Sequence, residues 1–198
     1  MNRRIEAFYG PSSPWAYFGA QRLYKIADRH DCELVLRPIR VVQENGGIML
    51  RTRPQARQDY HAIELDRWRH HLDMPLNLRP KFYPCRSILP AAYTMIAAQR
   101  ANLDARRLSF AIQRALWAED RDIADINTLR SIAIEQNIPN LTDLIAEDWP
   151  QSIISEWEGN LTEAVNIGIF GTPTYVLDGQ LYWGQDRLEF LEGALSDK

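Results

Sequence analysis

The chain has 198 residues and a mass of 23.0 kDa, enough for one domain or for one domain carrying a large insertion. Hydrophobic residues make up 45% and charged residues 25%, and the formal net charge is -3 with a pI near 5.8. That is ordinary globular usage, which excludes intrinsic disorder, and it carries no global basic field for nucleic acid.

Two cysteines, Cys32 and Cys85, form neither a disulfide framework nor a zinc pattern, and no metal site is expected. No apolar run approaches the ~20 residues of a membrane span. Glu6, Tyr9 and Pro11 interrupt the stretch behind the basic start, so no signal peptide is expected. The expectation is a soluble, reduced, cytoplasmic protein with no membrane or nucleic-acid partner. Only three of the 23 basic residues are lysines (Lys25, Lys81 and Lys198), which leaves twenty arginines. A GC-rich genome accounts for most of them; bidentate recognition of carboxylates is the sharper use of a few.

Ile5 to Tyr9 is a short apolar run that reads as a buried strand. Gly10-Pro11-Ser12-Ser13 breaks it, and Pro14 stands where proline suits a first helical position. Trp15 to about His30 is helical in pattern, and Glu33 to Arg37 reads as a second strand ended by Pro38. Strand, helix and strand within forty residues make a βαβ unit with a parallel pair. From about residue 50 to 165 the patterns are helical, with no convincing strand. Tyr60, Ile63, Trp68 and Leu72 recur at helical spacing, Ser87, Asp104 and Asn127 stand as helix caps, and Pro150 opens a segment with Ile153, Trp157, Leu161 and Ala164 on one stripe. The last thirty residues return to strands. Thr174 to Leu177 and Gln180 to Trp183 flank Asp178-Gly179, a two-residue hairpin turn. Asp186, with Glu189 three residues on, suits a capping box for a final helix. Neither end has enough strands for a sheet alone. Joined, residues 1–42 and 156–198 form one small α/β domain of four strands, and residues 43–155 form a helical insertion.

The turn after the first strand carries the first candidate chemistry. A helix N-terminus offers unsatisfied N–H groups and a positive dipole end, which stabilise a thiolate or a carboxylate. Thioredoxin-like proteins place C-x-x-C at such a βαβ start; here the four residues are Ser13-Pro14-Trp15-Ala16, so both sulfur positions are gone. A hydroxyl remains, able to donate to a thiolate supplied by a cofactor. Equally, Ser12 or Ser13 serves as a plain N-cap, which is common for serine before a helix. The second candidate is Gly171-Thr172-Pro173-Thr174, entering a strand; whether the Thr172–Pro173 bond is cis is not legible from these residues.

Together these segments resemble 2-hydroxychromene-2-carboxylate isomerase and its relatives, the kappa-class glutathione transferases, in the DsbA-like branch of the thioredoxin fold. The residues that carry the resemblance begin with Phe8-Tyr9, Ser13-Pro14 and Tyr17. They continue through Arg57, Tyr60, Glu64, Arg67, Trp68, Pro75 and Pro80-Lys81-Phe82-Tyr83-Pro84. They end with Gly168 to Thr174 and Trp183-Gly184-Gln185-Asp186-Arg187-Leu188. The resemblance implies an α/β, thioredoxin-like (DsbA-like) fold, a four-stranded sheet with a large all-helical insertion, and glutathione as cofactor. It places the glutathione thiol near Ser13 as the catalytic residue, the backbone of Thr172 before a cis-Pro173 beside the glutathione cysteine, and Gln185 and Asp186 at the γ-glutamyl end. It further implies a cis-trans isomerase that takes a small aromatic carboxylate to a trans-hydroxybenzylidene pyruvate by thiolate addition and elimination, and a homodimer.

Where family members often carry an asparagine and a lysine near the glycine end of glutathione, this chain reads Arg51 to Arg57, leaving Arg53 or Arg57 for that carboxylate. Trp15, Phe82, Tyr83 and Trp183 are aromatic candidates for a substrate pocket, of which Trp15, Phe82 and Tyr83 are the substrate-binding set. Cys85 reads as a structural cysteine. Two other readings stand beside the isomerase: a kappa-like transferase acting on another electrophile, and a non-catalytic thioredoxin-like binding module.

Overall fold

The apolar run at the front forms β1 (Arg4–Tyr9), followed by α1 (Pro14–Arg29) and β2 (Glu33–Pro38). In the computed structural model, which describes residues 3–138 and 140–196, the hairpin strands are β3 (Thr174–Leu177) and β4 (Gln180–Trp183). The sheet order is β2-β1-β3-β4. β1 pairs in parallel with β2 and antiparallel with β3, so the two ends of the chain close into one sheet as expected. The β3–β4 turn has positive φ at both Asp178 (51°) and Gly179 (77°), which is why Asp-Gly suits a hairpin turn of this kind.

Between β2 and β3 lie only helices among the described residues: α2 (Gln55–His71), α3 (Leu89–Arg100), α4 (Ala105–Trp117), α5 (Ile126–Glu135), the single turn α6 (Leu141–Leu144) and α7 (Gln151–Asn166). α8 (Leu188–Ser196) ends the chain. The boundary at 155/156 falls inside α7. Period-2 alternation in the central strands buries both faces of the sheet. Ile5, Ala7, Tyr9, Tyr175 and Leu177 enter one cluster with α1 and the insertion residues Leu108, Ile112, Leu116 and Leu129. Phe8 and Val176 point the other way, to Ile39, Val42, Ala164 and Ile169 under α7. Each such aliphatic side chain contributes roughly 1.5–3 kcal/mol on burial, so the insertion and the sheet share one core.

Four local expectations, for α2, α3, α5 and α8, differ from the structure. The Tyr60 and Ile63 side of α2 is 55% and 49% exposed, and Leu65 is the buried residue of that helix. α5 is capped by Asp125, whose carboxylate accepts from the Thr128 amide at 2.9 Å; Asn127 already lies inside the helix. The Asp186–Glu189 capping box does not form, because a 3-10 turn over Gln185–Arg187 precedes α8 and Asp186 pairs with Arg187 at 3.1 Å instead. Asp104 does cap α4, accepting from the Arg107 amide at 3.0 Å. Ser87 accepts from the Leu89 amide at 3.2 Å, one residue ahead of the cap position of α3. No helix among the described residues is long and apolar enough to cross a membrane.

Candidate active site at the start of the first helix

Ser13 caps α1. Its hydroxyl accepts from the Ala16 amide at 3.2 Å and donates to the Thr172 carbonyl at 3.3 Å. Two chain ends meet here because Gly10 has no side chain: a Cβ at that position would lie 3.2 Å from Thr172 Oγ1 and 3.5 Å from Ser13 Cβ. The Thr172–Pro173 bond is cis. The first turn of α1 holds no acidic residue, so nothing on the helix itself neutralises the positive end of its dipole.

A cleft of about 1030 Å³ opens over this point. Its floor is Ser12, Ser13 and Thr172; one wall is the strap from Arg40 to Leu50, another is α2, and the rim is Trp183 to Arg187. The strap is anchored at Asn45, whose side-chain amide donates to the Val165 carbonyl at 3.0 Å and the Ile169 carbonyl at 2.9 Å. Trp183 packs over Gly171, where an added Cβ would sit 2.4 Å from the indole nitrogen, and stands edge-on to Phe170 with ring centres 4.6 Å apart.

The predicted residues divide by placement. Ser13, Trp15, Arg53, Tyr83, Thr172, Gln185 and Asp186 all line the cleft. Pro173 lies one residue behind it, on the wall of a separate interior cavity of about 20 Å³. Phe82 is not among the residues that line the cleft: it packs on the core with the Lys81 ammonium 5.1 Å over its ring, while its neighbour Tyr83 turns to the cleft. Gln185 is buried to 2% exposure, and its side-chain oxygen accepts from the Arg22 guanidinium, which also donates to the Gln185 carbonyl at 3.0 Å. That side chain is therefore committed to the protein. Its effect is to hold the 185–187 turn so that Asp186 stands at the rim. Gly19 permits the approach, since a Cβ there would meet the Tyr175 hydroxyl at 2.4 Å and Gln185 Cβ at 3.0 Å.

Arg57, the other arginine expected at the glycine end, also faces the cleft, together with three residues given no role at the site, His61, Glu64 and Trp68. On α2, Arg57, His61, Glu64 and Trp68 fall at i, i+4, i+7 and i+11 and all line it. This stripe was readable as a spacing, but its polar members do not mark a core face. Arg51 and Arg57 have no carboxylate partner among the described residues, whereas Arg40 pairs with Glu44 and Arg187 with Asp186. Arg53 donates from Nε and Nη2 to the Ile48 carbonyl at 3.2 and 2.9 Å, and its burial and the nearby Arg57 charge lower its pKa. The cleft therefore holds more arginines than carboxylates, with Arg51, Arg53 and Arg57 close in sequence and Asp186 beside Arg187 at the rim.

The sulfur chemistry is limited. Cys32 is buried just beyond α1, and Cys85 lies in the cleft wall. Burial and the Asp122 charge push the Cys85 thiol up to about 11, which keeps it protonated at neutral pH. With Ser13 and Ala16 at the start of α1, no dithiol stands at that helix end.

A family model described as a DSBA-like thioredoxin domain matches residues 4–196, nearly the whole chain. The chain belongs to this DSBA-like thioredoxin family. Among curated relatives, 2-hydroxychromene-2-carboxylate isomerase of Sphingobium xenophagum is 27% identical over the full length of both chains. Glutathione S-transferase kappa 1 of Homo sapiens is 23% identical, with 100% of this chain and 93% of that one aligned. A solved 2-hydroxychromene-2-carboxylate isomerase superposes with a TM-score of 0.71 at 19% identity, covering 98% of this chain and 94% of the other. The cytosolic disulfide reductase DsbM from Pseudomonas aeruginosa, solved with GSH, superposes with a TM-score of 0.65 at 21% identity, covering 98% and 99%. At such identities the solved structures establish the DSBA-like thioredoxin fold. The curated names point to an isomerase-type enzyme related to the kappa-class transferases.

Proposed function

We propose that this protein is a glutathione-dependent cis-trans isomerase acting on small aromatic carboxylates of the 2-hydroxychromene-2-carboxylate type. The observation that carries the reading is the Ser13 hydroxyl, held at an unneutralised helix N-terminus and 3.3 Å from the carbonyl of Thr172 on the floor of an open cleft. The donor set fits glutathione. Asp186 offers a carboxylate to an α-ammonium, the α1 N-terminus and Ser13 favour a thiolate, and the unpartnered Arg51 and Arg57 suit a carboxylate. Arg53, fixed on Ile48, adds its charge to theirs. When bound, glutathione supplies a thiolate that adds to a conjugated alkene and leaves it again after rotation about the resulting single bond.

The chain's own residues do the rest. The Ser13 hydroxyl, turning from Thr172, donates to the negative sulfur. The Trp15 and Tyr83 rings flank an aromatic substrate, and an arginine of the 51–57 segment holds its carboxylate. Exclusion of water falls to the Arg40–Leu50 strap on one wall and Trp183 on the rim.

The test is an ultraviolet assay with 2-hydroxychromene-2-carboxylate, with and without reduced glutathione, while free thiol is counted. Formation of the trans-benzylidene pyruvate that needs glutathione but consumes none supports the reading. A thioether product with loss of thiol assigns the same site to a transferase, the activity in the name of the human relative. No reaction with either, in a protein that still folds, leaves the non-catalytic module.

A further inference from the structure

The chain has four histidines, His30, His61, His70 and His71, and His61 alone lines the cleft. His30 stands 3.4 Å from Glu192, and Nδ1 of His70 lies 2.7 Å from the Asp66 carbonyl. His71 packs edge-on to Trp68 with ring centres 5.4 Å apart. His61 shares the kind of ring contact that His71 makes but differs from all three in its place, on the cleft wall beside Trp15. Its ring meets Trp15 edge-on, with centres 5.4 Å apart at 85°, and Trp15 is two residues from Ser13. Neither of its nitrogens has a hydrogen-bond partner among the described residues, and neither is an orphan sealed from solvent. A neutral imidazole has one N–H donor and one bare nitrogen. Here neither is committed to another group of the protein among the described residues, on a residue that lines the cleft.

We infer that His61 is a catalytic hydrogen-bond donor of the proposed isomerisation, its N–H polarising the carbonyl oxygen conjugated to the rotating alkene. The inference rests on the function proposed above. Any route that rotates a conjugated double bond by transiently saturating it moves the π pair onto the conjugated carbonyl oxygen as an enolate, and returns it when the nucleophile leaves. A fixed donor at that oxygen stabilises the charge as it develops. His61 keeps its proton throughout, so no proton needs to be supplied or removed.

The surroundings favour a neutral donor over an imidazolium. Arg53 and Arg57 approach from the start of α2, Glu64 follows one turn later but is paired with Arg67, and Tyr83 and Cys85 face the cleft from the opposite loop as neutral groups. Burial and the Arg53 charge bring the His61 pKa down to about 4, so the ring is uncharged at neutral pH. A neutral imidazole in such a place polarises a carbonyl without surrendering its proton. Arg53 is less suited to the task, because two of its donors are already committed to the Ile48 carbonyl.

The experiment compares His61→Phe, His61→Gln and Tyr83→Phe with the wild type, using turnover, glutathione calorimetry and the infrared band of a carbonyl-labelled trans-hydroxybenzylidene pyruvate bound to each protein. His61→Phe is expected to lower kcat about 100-fold, with KM and the glutathione Kd changed less than about threefold, and to move the bound carbonyl band to higher wavenumber. His61→Gln, which keeps an N–H donor, is expected to retain most of both the rate and the band position. A His61→Phe protein with wild-type rate and band overturns the assignment, as does a His61→Gln variant impaired as badly as His61→Phe, which marks a packing role. Loss confined to Tyr83→Phe also overturns it. A wild type that neither binds glutathione nor isomerises the substrate overturns the proposed function itself, and this role with it.

Discussion

Ser13→Ala separates the two roles that one hydroxyl fills. In the structure the hydroxyl accepts from the Ala16 amide at 3.2 Å, capping α1, and donates to the Thr172 carbonyl at 3.3 Å. Loss of a serine cap costs about 1 kcal/mol. The second bond is long, so its net worth is at the low end, about 0.5 kcal/mol. The sum of roughly 1.5 kcal/mol corresponds to a fall in Tm of about 3–6 °C for a chain of this size, and the variant stays folded. Catalysis should suffer more. A hydrogen bond to a charged group is worth about 1.5–3 kcal/mol, which is roughly 10- to 150-fold in kcat/KM. Calorimetric unfolding and the ultraviolet isomerisation assay read the two effects on the same preparation. Turnover within threefold of wild type in a folded Ser13→Ala protein would refute the reasoning, because the hydroxyl would then be a cap and nothing more.

Gly19→Ala places a methyl 2.4 Å from the buried Tyr175 hydroxyl and 3.0 Å from Gln185 Cβ, and should cost about 1–3 kcal/mol in urea unfolding. Gln185→Leu strips the Arg22 guanidinium of its carboxamide partner, where its Nε is already buried without one; a loss of about 1–3 kcal/mol is expected, with weaker glutathione binding because the turn under Asp186 loosens. For pH, the folded-state pKa of His61 lies near 4, below its ordinary 6.5, so the unfolded chain binds the extra proton first as pH falls. The contribution of His61 to stability is therefore full above about pH 6.5 and is lost as pH falls from there towards 4. Urea midpoints of His61→Gln between pH 4 and 7 should show a shallower acid decline than wild type; parallel curves would contradict the buried, neutral assignment.

The sheet was legible in the sequence because its signals are local. Ile5 to Tyr9, the Pro14 helix start and the Asp178-Gly179 turn each fix an element within a few residues, and the two ends join because neither has enough strands for a sheet alone. Ser13 and Asp104 were legible as caps for the same reason. The insertion was legible as helices but not as faces. Tyr60, Ile63, Trp68 and Leu72 have core-like spacing, yet Tyr60 and Ile63 are left exposed, Tyr60 at the cleft, since a tertiary partner decides which side of α2 is covered and Leu65 takes that place. In the cleft stripe only Trp68 is apolar, so hydrophobic periodicity reads that residue as core and passes over Arg57, His61 and Glu64. Phe82 and Tyr83 are adjacent aromatics, and only the path of the loop decides which one turns to the cleft. Gln185 reads as a ligand contact in a motif, but its partner Arg22 is 163 residues away, and that pairing appears only in three dimensions.

The central claim is that the Ser13 cleft binds glutathione, and calorimetric titration of the wild type and of Asp186→Ala with reduced glutathione tests it most directly. The wild type should bind with a Kd in the micromolar to millimolar range, and Asp186→Ala should weaken binding at least about tenfold, the value of a lost charge-assisted hydrogen bond to the α-ammonium. Absence of binding by a folded wild type, or equal binding by both proteins, would contradict the account.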